Sequence, residues 1–381
     1  MPQESRDSNV NTFGKLSRRD FLKLGVGSGA AVLGAAVFGA KLFSVPGFND
    51  GLLAASSVET PVIWLQSGGC TGCSESLLNT VNPYINNVIV DEVIPGNHVS
   101  LRFHPTVMAA AGEMAMKAMY DTAKNKGTFV LIAEGAFSTK DGGIYCEVGE
   151  ENGKGITALE HLIHLGDNAM AVIAVGTCAT YGGIPAAEPN PTGCKGVQDV
   201  LSSEGIATPV INIAGCPAHP DWIVGTIASI LIGGLESVEL DREGRPTAFY
   251  SKLIHDMCPR RQYYDVGKFA TKPSEPYCLY ALGCKGPVTH ADCPVRRWNN
   301  GVNWCIGCNH PCIGCTEPDF PDKKSPFFQK AASTGVAAAN EIVEDVGLAV
   351  GIATAAGLAT HLGMTAASGR LKKKQSEGGQ S

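Results

Sequence analysis

Positive charge is what this 381-residue chain lacks first: 30 lysines and arginines stand against 36 aspartates and glutamates, a net charge of -6. Without a basic excess there is no electrostatic footprint for nucleic acid, and that class of partner is set aside. From about Ser237 onward apolar blocks are scarce, and proline, glycine, arginine and cysteine take their place. A stretch so poor in core material needs another source of order, which bound metal can supply. No strand pattern precedes Gly25-Val26-Gly27-Ser28-Gly29, so that glycine run does not read as a nucleotide loop. Cysteine, by contrast, is abundant: there are fourteen, and more than half lie between Cys258 and Cys315. Disulfides of an exported protein, zinc sites and iron-sulfur clusters are the three competing readings.

The N-terminus bears on that choice. Ser17-Arg18-Arg19-Asp20-Phe21-Leu22-Lys23 is a twin-arginine pattern ahead of the Gly/Ala-rich apolar run from Leu24 to Phe43. Residues 1–55 therefore read as an export signal, with cleavage near Ala54 to Ser57, rather than as a membrane helix. Twin-arginine export typically carries proteins that fold and load cofactors before leaving the cytoplasm. Metal clusters are favoured over a disulfide framework on that ground.

Downstream, an order of alternating strands and helices is legible. Pro61-Val62-Ile63-Trp64-Leu65 is a strand, followed by the loop Cys70-Thr71-Gly72-Cys73 and a helical stretch from Ser74 to about Ile85. A helix is expected from Thr106 to Lys126, with Gly127 as its stop. Thr128 to Ala133, Ala169 to Val175 and Pro209 to Ile213 are continuous apolar strands of the kind buried on both faces of a parallel sheet. Ile156 to Leu165 and Val197 to Ser203 read as helices between them. The repeated β-α order argues for a doubly wound parallel sheet over about residues 58–235, with a loop-rich unit over 236–330 and a tail over 331–381.

Cys70, Cys73, Cys178 and Cys216 all fall just past the carboxyl ends of predicted strands. In a parallel sheet those ends share one edge, so four thiolates converge where such sheets bind ligands. One C-x-x-C pair plus two distant single cysteines suits a four-iron cluster better than zinc, which is usually held by two local pairs. The plainer alternative is that Cys178 and Cys216 are small buried residues. In the loop-rich stretch, His255, Cys258, Cys278, Cys284, Cys293, Cys305, Cys308, Cys312 and Cys315 supply donors for two further sites. The gap between Cys305-x-x-Cys308 and Cys312-x-x-Cys315 is too short for a zinc ribbon.

Taken together, Cys70-Thr-Gly-Cys73-Ser-Glu75, Gly176-Thr-Cys178-Ala, Gly215-Cys216-Pro217, His255-x-x-Cys258-Pro-Arg-Arg261, Cys278-Leu-Tyr-x-Leu-Gly-Cys284-Lys-Gly-Pro287 and His310-Pro-Cys312-Ile-Gly-Cys315 are specific. In this order they resemble the small, electron-transferring subunit of nickel-iron hydrogenases, from the twin-arginine signal to about Phe328. The resemblance implies a flavodoxin-like N-terminal domain with a proximal 4Fe-4S cluster on Cys70, Cys73, Cys178 and Cys216. It implies a distal 4Fe-4S cluster on His255, Cys258, Cys278 and Cys284, where a neutral imidazole in place of a thiolate raises the potential. Relatives with a 3Fe-4S medial cluster use three cysteines, matching Cys293, Cys312 and Cys315, and have proline where this chain has Cys305. A fourth thiolate there predicts a 4Fe-4S medial cluster, with Cys308 the alternative fourth ligand and a 3Fe-4S cluster the alternative form. Oxygen-tolerant relatives carry extra cysteines at positions matching Gly72 and Gly183, so an ordinary proximal cluster and an oxygen-sensitive enzyme are expected. Hydrogen cleavage is implied to belong to a nickel-iron centre in a separate large subunit, with a cytochrome or other redox protein accepting electrons near His255. Trp64, Glu75 and Tyr181 lie beside proximal ligands and serve either packing or the subunit interface. Cys146 and Cys194 have no assigned role.

Residues 346–363 carry no fixed charge and precede Arg370-Leu371-Lys372-Lys373-Lys374. This is barely long enough to span a bilayer, so a membrane anchor over 346–368 beside an integral partner competes with an Ala-rich helix packed on a protein. An anchor with this basic flank places the catalytic body on the periplasmic side. His361 within it is a remote candidate for facing a haem. Against the hydrogenase reading stand two others: a nickel-free iron-sulfur subunit of another exported oxidoreductase, and an exported protein stapled by disulfides or zinc.

Overall fold

The computed structural model describes residues 58–81, 83–85, 92–94, 97–321 and 349–364. The export signal and both ends of the expected anchor lie outside those residues.

Strand β1 (Val58–Gln66) runs through the middle of a six-stranded sheet. A loop carries the chain into helix α1 (Gly72–Leu78), then β2 (Glu92–Ile94) and β3 (Asn97–Phe103). Helix α2 (Glu113–Ala123), β4 (Val130–Glu134), α3 (Ala158–Asn168) and β5 (Ala171–Val175) follow. The short α4 (Thr177–Tyr181), α5 (Val197–Ser203), β6 (Val210–Ile213) and α6 (Pro220–Gly233) complete this half. The sheet order is β6-β5-β4-β1-β3-β2, parallel throughout except for β2 at the edge. Numbered along the chain, the five parallel strands lie in the order 2-1-3-4-5, with the topological switch between β1 and β4. Register pairs such as Val62 with Val130 and Ile132 with Ile173 bring the carboxyl ends of β1, β4, β5 and β6 to one edge.

Because side chains alternate along a strand, the apolar strands feed two layers. Val62, Trp64, Ile132, Ile173 and Ile211 pack on one face with Leu77 of α1 and Trp222, Ile223 and Ile227 of α6. Ile63, Leu65, Leu131, Val172 and Ala174 pack on the other with Met116 and Met119 of α2, Leu162 and Leu165 of α3, and Leu201 of α5. The start of α3 is fixed by a capping box, the Glu160 amide donating to Thr157 Oγ1 at 3.1 Å and the Thr157 amide to the Glu160 carboxylate at 2.8 Å.

Several elements differ from the sequence expectation, β2 and α6 among them having no counterpart in it. Helix α2 begins at Glu113 rather than near Thr106, because Gly112 holds φ +56° and breaks the helical path. Helix α1 ends at Leu78, well short of Ile85. Strand β3 has no counterpart in that expectation, although the alternation Val99, Leu101, Phe103 carries a strand signal.

Between α6 and residue 321 the chain has only short helical turns, among them Ile254–Met257, Leu279–Leu282, Cys293–Arg296 and Ile306–Cys308. The apolar residues there form only a small cluster of their own, Tyr264, Cys278 and Tyr280 with Tyr263 and Phe269 against them. Tyr250, Ile254, Leu279, Ala291, Trp304 and Ile306 join the same buried cluster as Trp222 and Ile223, so the loop region completes the core on the α6 face of the sheet. The tail is helical over residues 349–364, and no helix among the described residues is long and apolar enough to cross a membrane.

Candidate metal centres

Cys70 and Cys73 sit in the turn from β1 into α1, Cys178 in the first turn of α4 just after β5, and Cys216 three residues past β6. The sheet edge brings them together: the Cys73 thiol interacts with those of Cys178 and Cys216, Cys178 with Cys216 and Cys70, and Cys216 with Cys70. Burial pushes the Cys73 thiol well above its usual range and that of Cys178 up to about 12. Such thiols stay protonated unless a cation draws the protons off, which is the state a metal-binding set starts from. Backbone amides turn toward the sulfurs: Ala218 N–H donates to Cys73 Sγ at 3.5 Å, and Ile184 N–H to Cys178.

Two glycines make room for this arrangement. At Gly176 (φ +87°) a Cβ would lie 2.4 Å from Cys73 Sγ, and at Gly183 (φ +50°) 3.1 Å from Cys178 Sγ and 2.9 Å from Cys178 N. Neither position accepts a side chain without displacing a thiol.

Glu134, at the last residue of β4 across the switch point, was missed from the sequence. It is 4% exposed and accepts from Cys73 N (3.0 Å), Ser74 N (3.1 Å), Trp64 Nε1 (2.9 Å), Gln66 Nε2 (3.0 Å) and the Ser74 hydroxyl. His104 Nε2 lies 3.0 Å from the same hydroxyl. The signal for Glu134 was its place: a carboxylate ending an otherwise wholly apolar strand. Trp64, 1% exposed and bound to Glu134, is a packing residue, whereas Glu75 is exposed. Tyr181 places its hydroxyl in a buried spot with no hydrogen-bond partner among the described residues.

A second set forms on the loop region. The Cys278 thiol interacts with Cys284 and Cys258, and Cys284 with Cys258. Burial pushes Cys278 up to about 11. Arg260 N–H reaches Cys258 Sγ at 3.4 Å, and Tyr280 N–H points at Cys278. His255 adjoins them, since the point where a Gly286 Cβ would stand is 3.6 Å from Cys284 Sγ and 3.8 Å from His255 N. Its ring meets Tyr264 edge-on at 4.4 Å, and burial, then the Arg261 cation, hold its pKa below the usual range. The imidazole is thereby kept neutral, the form that ligates metal.

The third set lies between the first two. Cys293 interacts with Cys315 and Cys305, Cys312 with Cys284 of the second set and with Cys315, and Cys315 with Cys305 and with Cys216 of the first. Burial pushes Cys315 up to about 12. Cys305 and Cys308 are both exposed and stand near each other, but Cys305 is the one that reaches Cys293 and Cys315. Cys216 N–H of the first set points at the Cys315 thiol of the third, and Cys312 N–H of the third donates to Cys284 Sγ of the second at 3.3 Å. The three sets thus form a row joined by backbone amides.

Cys146 and Cys194 stand apart, the first 3.7 Å from Ser67 Oγ and the second 3.2 Å from Thr192 Oγ1. No three His, Cys, Asp or Glu side chains among the described residues close around one ion. Tetrahedral zinc would need sulfurs within about 3.8 Å of one another, from Zn–S bonds of about 2.3 Å. A four-iron cluster binds each thiolate on a separate iron and needs a wider cage. A donor set of three or four sulfurs with amides aimed at them, kept open by glycine at Gly176 and Gly183, fits that group.

Residues 250–328 match the family model for the carboxyl-terminal part of the NiFe/NiFeSe hydrogenase small subunit, and residues 70–230 that for the NADH ubiquinone oxidoreductase 20 Kd subunit. The chain is 47% identical over 324 residues to the periplasmic [NiFeSe] hydrogenase small subunit of Desulfomicrobium baculatum, covering 82% of this chain and 98% of that protein. It is 38% identical over 362 residues to the quinone-reactive Ni/Fe-hydrogenase small chain of Wolinella succinogenes, covering 91% and 95%. Among solved structures, a recombinant [NiFeSe] hydrogenase from Desulfovibrio vulgaris Hildenborough superposes with a TM-score of 0.67 at 50% identity, over 72% of this chain and 99% of that one.

Proposed function

This chain belongs to the small-subunit family of nickel-iron and nickel-iron-selenium hydrogenases, and from that membership we propose a relay of three iron-sulfur clusters with the ligands named above. The chain is the electron-transfer subunit of a hydrogenase whose hydrogen-cleaving site lies in a separate large subunit. The nickel-free alternative is not favoured, because the hydrogenase match extends through the loop region and over nearly the whole length of the relatives.

Cys70, Cys73, Cys178 and Cys216 hold the proximal 4Fe-4S cluster, and the N-terminal unit over 58–235 is flavodoxin-like, a reading supported by its 2-1-3-4-5 strand order. The medial cluster is 4Fe-4S on Cys293, Cys305, Cys312 and Cys315, and the distal one 4Fe-4S on His255, Cys258, Cys278 and Cys284, both within 236–330. When bound, such clusters supply reversible one-electron chemistry at potentials set by ligand type, hydrogen bonds to sulfur and exposure. The chain's own part is to space them, aim amide dipoles at their sulfurs and keep them dry. The observation that supports this reading is the row of three donor sets tied by hydrogen bonds, the Thr177 hydroxyl beside Cys178 donating to the Cys315 carbonyl and Cys312 N–H to Cys284 Sγ. With clusters held by these residues, the chain would carry electrons from the large subunit to a cytochrome or other redox protein docking near His255. Glycine at Gly72 and Gly183 supports an ordinary, oxygen-sensitive proximal site. Export by the twin-arginine route to the periplasmic side, and attachment through the tail to an integral partner, complete the proposal.

The test is metal and sulfide analysis of the anaerobically purified native complex, with electron paramagnetic resonance of the reduced and oxidised states. About twelve irons and about twelve sulfides on this chain are expected, with nickel arriving only with the large subunit. About eleven irons, with a three-iron signal on oxidation, would overturn Cys305 as a medial ligand, and zinc in place of iron would overturn the relay.

A further inference from the structure

Where the first and third donor sets meet, one hydroxyl ties together segments from three parts of the chain. Thr177 is 1% exposed and immediately precedes Cys178. Its Oγ1 accepts from the N–H of Gly215 at 2.8 Å, and Gly215 immediately precedes Cys216. The same hydroxyl donates to the carbonyl of Cys315. The Thr177 amide in turn donates to the Gly215 carbonyl at 2.8 Å, so the loops after β5 and β6 are locked in a reciprocal pair. With those loops fixed and Cys315 held by its carbonyl, the N–H of Cys216 falls on the Cys315 sulfur.

We propose that Thr177 is a positioning residue for electron transfer between the proximal and medial clusters, its hydroxyl holding Cys216 and Cys315 in the register that makes their amide-to-sulfur contact. The inference rests on the three-cluster reading. The step it serves moves one electron from the proximal to the medial site and makes or breaks no bond. An N–H aimed at a ligand sulfur stabilises negative charge there and raises the potential of the site that sulfur binds. Without the hydroxyl, the Gly215 N–H and the Cys315 carbonyl lose a buried partner, a state costly enough to drive the loops apart. The medial site then loses its amide, and electrons favour it less. A residue that served only to hold the fold would lower stability and leave the medial potential where it was.

The experiment uses the whole assembly of large and small subunits, purified without oxygen, with Thr177→Val and Thr177→Ser. Valine keeps the shape and removes the hydroxyl, whereas serine keeps the hydroxyl and removes only a methyl. Redox titration followed by paramagnetic resonance reads the medial potential, and the fully reduced state reads the magnetic splitting between proximal and medial sites. The expected result is wild-type iron in both variants, a wild-type medial potential with serine, and with valine about a tenfold loss in the proximal-to-medial equilibrium. That equals a shift of about 59 mV to lower potential for a one-electron couple, with a changed splitting. If valine fails to load iron, Thr177→Ala, which adds no bulk, is read against serine in the same way. Hydroxyl-free variants with full iron and the potential and splitting of the wild type overturn the role of Thr177 and leave the relay standing. A wild-type complex without the expected iron overturns the relay itself.

Discussion

The four proposed donors at the sheet edge and the eight proposed in the loop region are placed by different means. Cys70, Cys73, Cys178 and Cys216 inherit their positions from strands whose hydrogen-bonded registers are fixed residue by residue. His255, Cys258, Cys278, Cys284, Cys293, Cys305, Cys312 and Cys315 stand in turns and short helices, and no multi-residue strand ladder runs among the described residues after α6. There, order comes from amides bound to sulfur, from apolar side chains lent to the sheet's core, and from a buried ionic knot. Arg245, 3% exposed, donates to Asp241 Oδ2 at 2.8 Å, to the Thr316 carbonyl at 2.8 Å and to Glu317 Oε1 at 3.2 Å, while Glu317 also accepts from His290 N at 2.6 Å. A sheet edge makes a tight, preformed cage. A loop region makes a looser one that depends on what it encloses.

The sharpest way to break that contrast is to add one methyl to each cage. Gly176→Ala sets a Cβ 2.4 Å from Cys73 Sγ, whereas Gly286→Ala sets one 3.6 Å from Cys284 Sγ, an ordinary contact. Gly176→Ala is expected to lose the proximal cluster, about four irons per chain, and with it hydrogen-dependent dye reduction. Gly286→Ala is expected to keep its iron and most activity. Equal iron loss in both would show that the loop cage is as tight as the sheet edge.

The next largest effect is expected at the ionic knot. Arg245→Met leaves the half-buried Asp241 and Glu317 without their cation, a loss of about 3 kcal/mol, the low end for broken buried pairs because both carboxylates keep some solvent. Hydrogen exchange should rise across residues 250–321 while β4, β5 and β6 stay protected. Uniform loss of protection would mean that the two regions unfold as one, as their shared core cluster allows.

The smallest effect belongs to the sheet half alone. His161 on α3 is 1% exposed, its Nε2 lies 2.6 Å from the Val148 carbonyl, and burial holds its pKa below the usual value. A histidine with a depressed folded pKa binds its proton more readily unfolded, so stability is complete above the unfolded value of about 6.5 and declines as pH falls below it. Denaturation midpoints of the complex measured from pH 7.5 to 5 should fall, and His161→Gln should flatten that slope in this region. An unchanged slope would remove His161 as a source of acid sensitivity.

Much of the proposed site rests on patterns legible in the sequence alone. Strands ending in cysteine loops, the spacing of His255 to Cys258 and the crowding from Cys278 to Cys315 are local patterns, and local patterns survive in a linear sequence. Glu134, Thr177 and Arg245 were not legible. Glu134 meets Cys73 from 61 residues away and Thr177 meets Cys315 from 138, and nothing in the neighbouring residues of either announces the partner. The extent of α2 was misread because Met, Ala and Gly around residues 108–112 look helical until the backbone of Gly112 is seen.

The sequence by itself determined which atoms can bind metal and where the four buried parallel strands β1, β4, β5 and β6 run, because donor chemistry and continuous apolar runs are written residue by residue. Only the tertiary structure showed that Cys305 rather than Cys308 reaches Cys293 and Cys315, and that Glu134, Thr177 and Arg245 tie the cysteine-bearing segments together. Those are facts of proximity between distant segments, and proximity is fixed by packing around a shared core, which no stretch of chain carries alone.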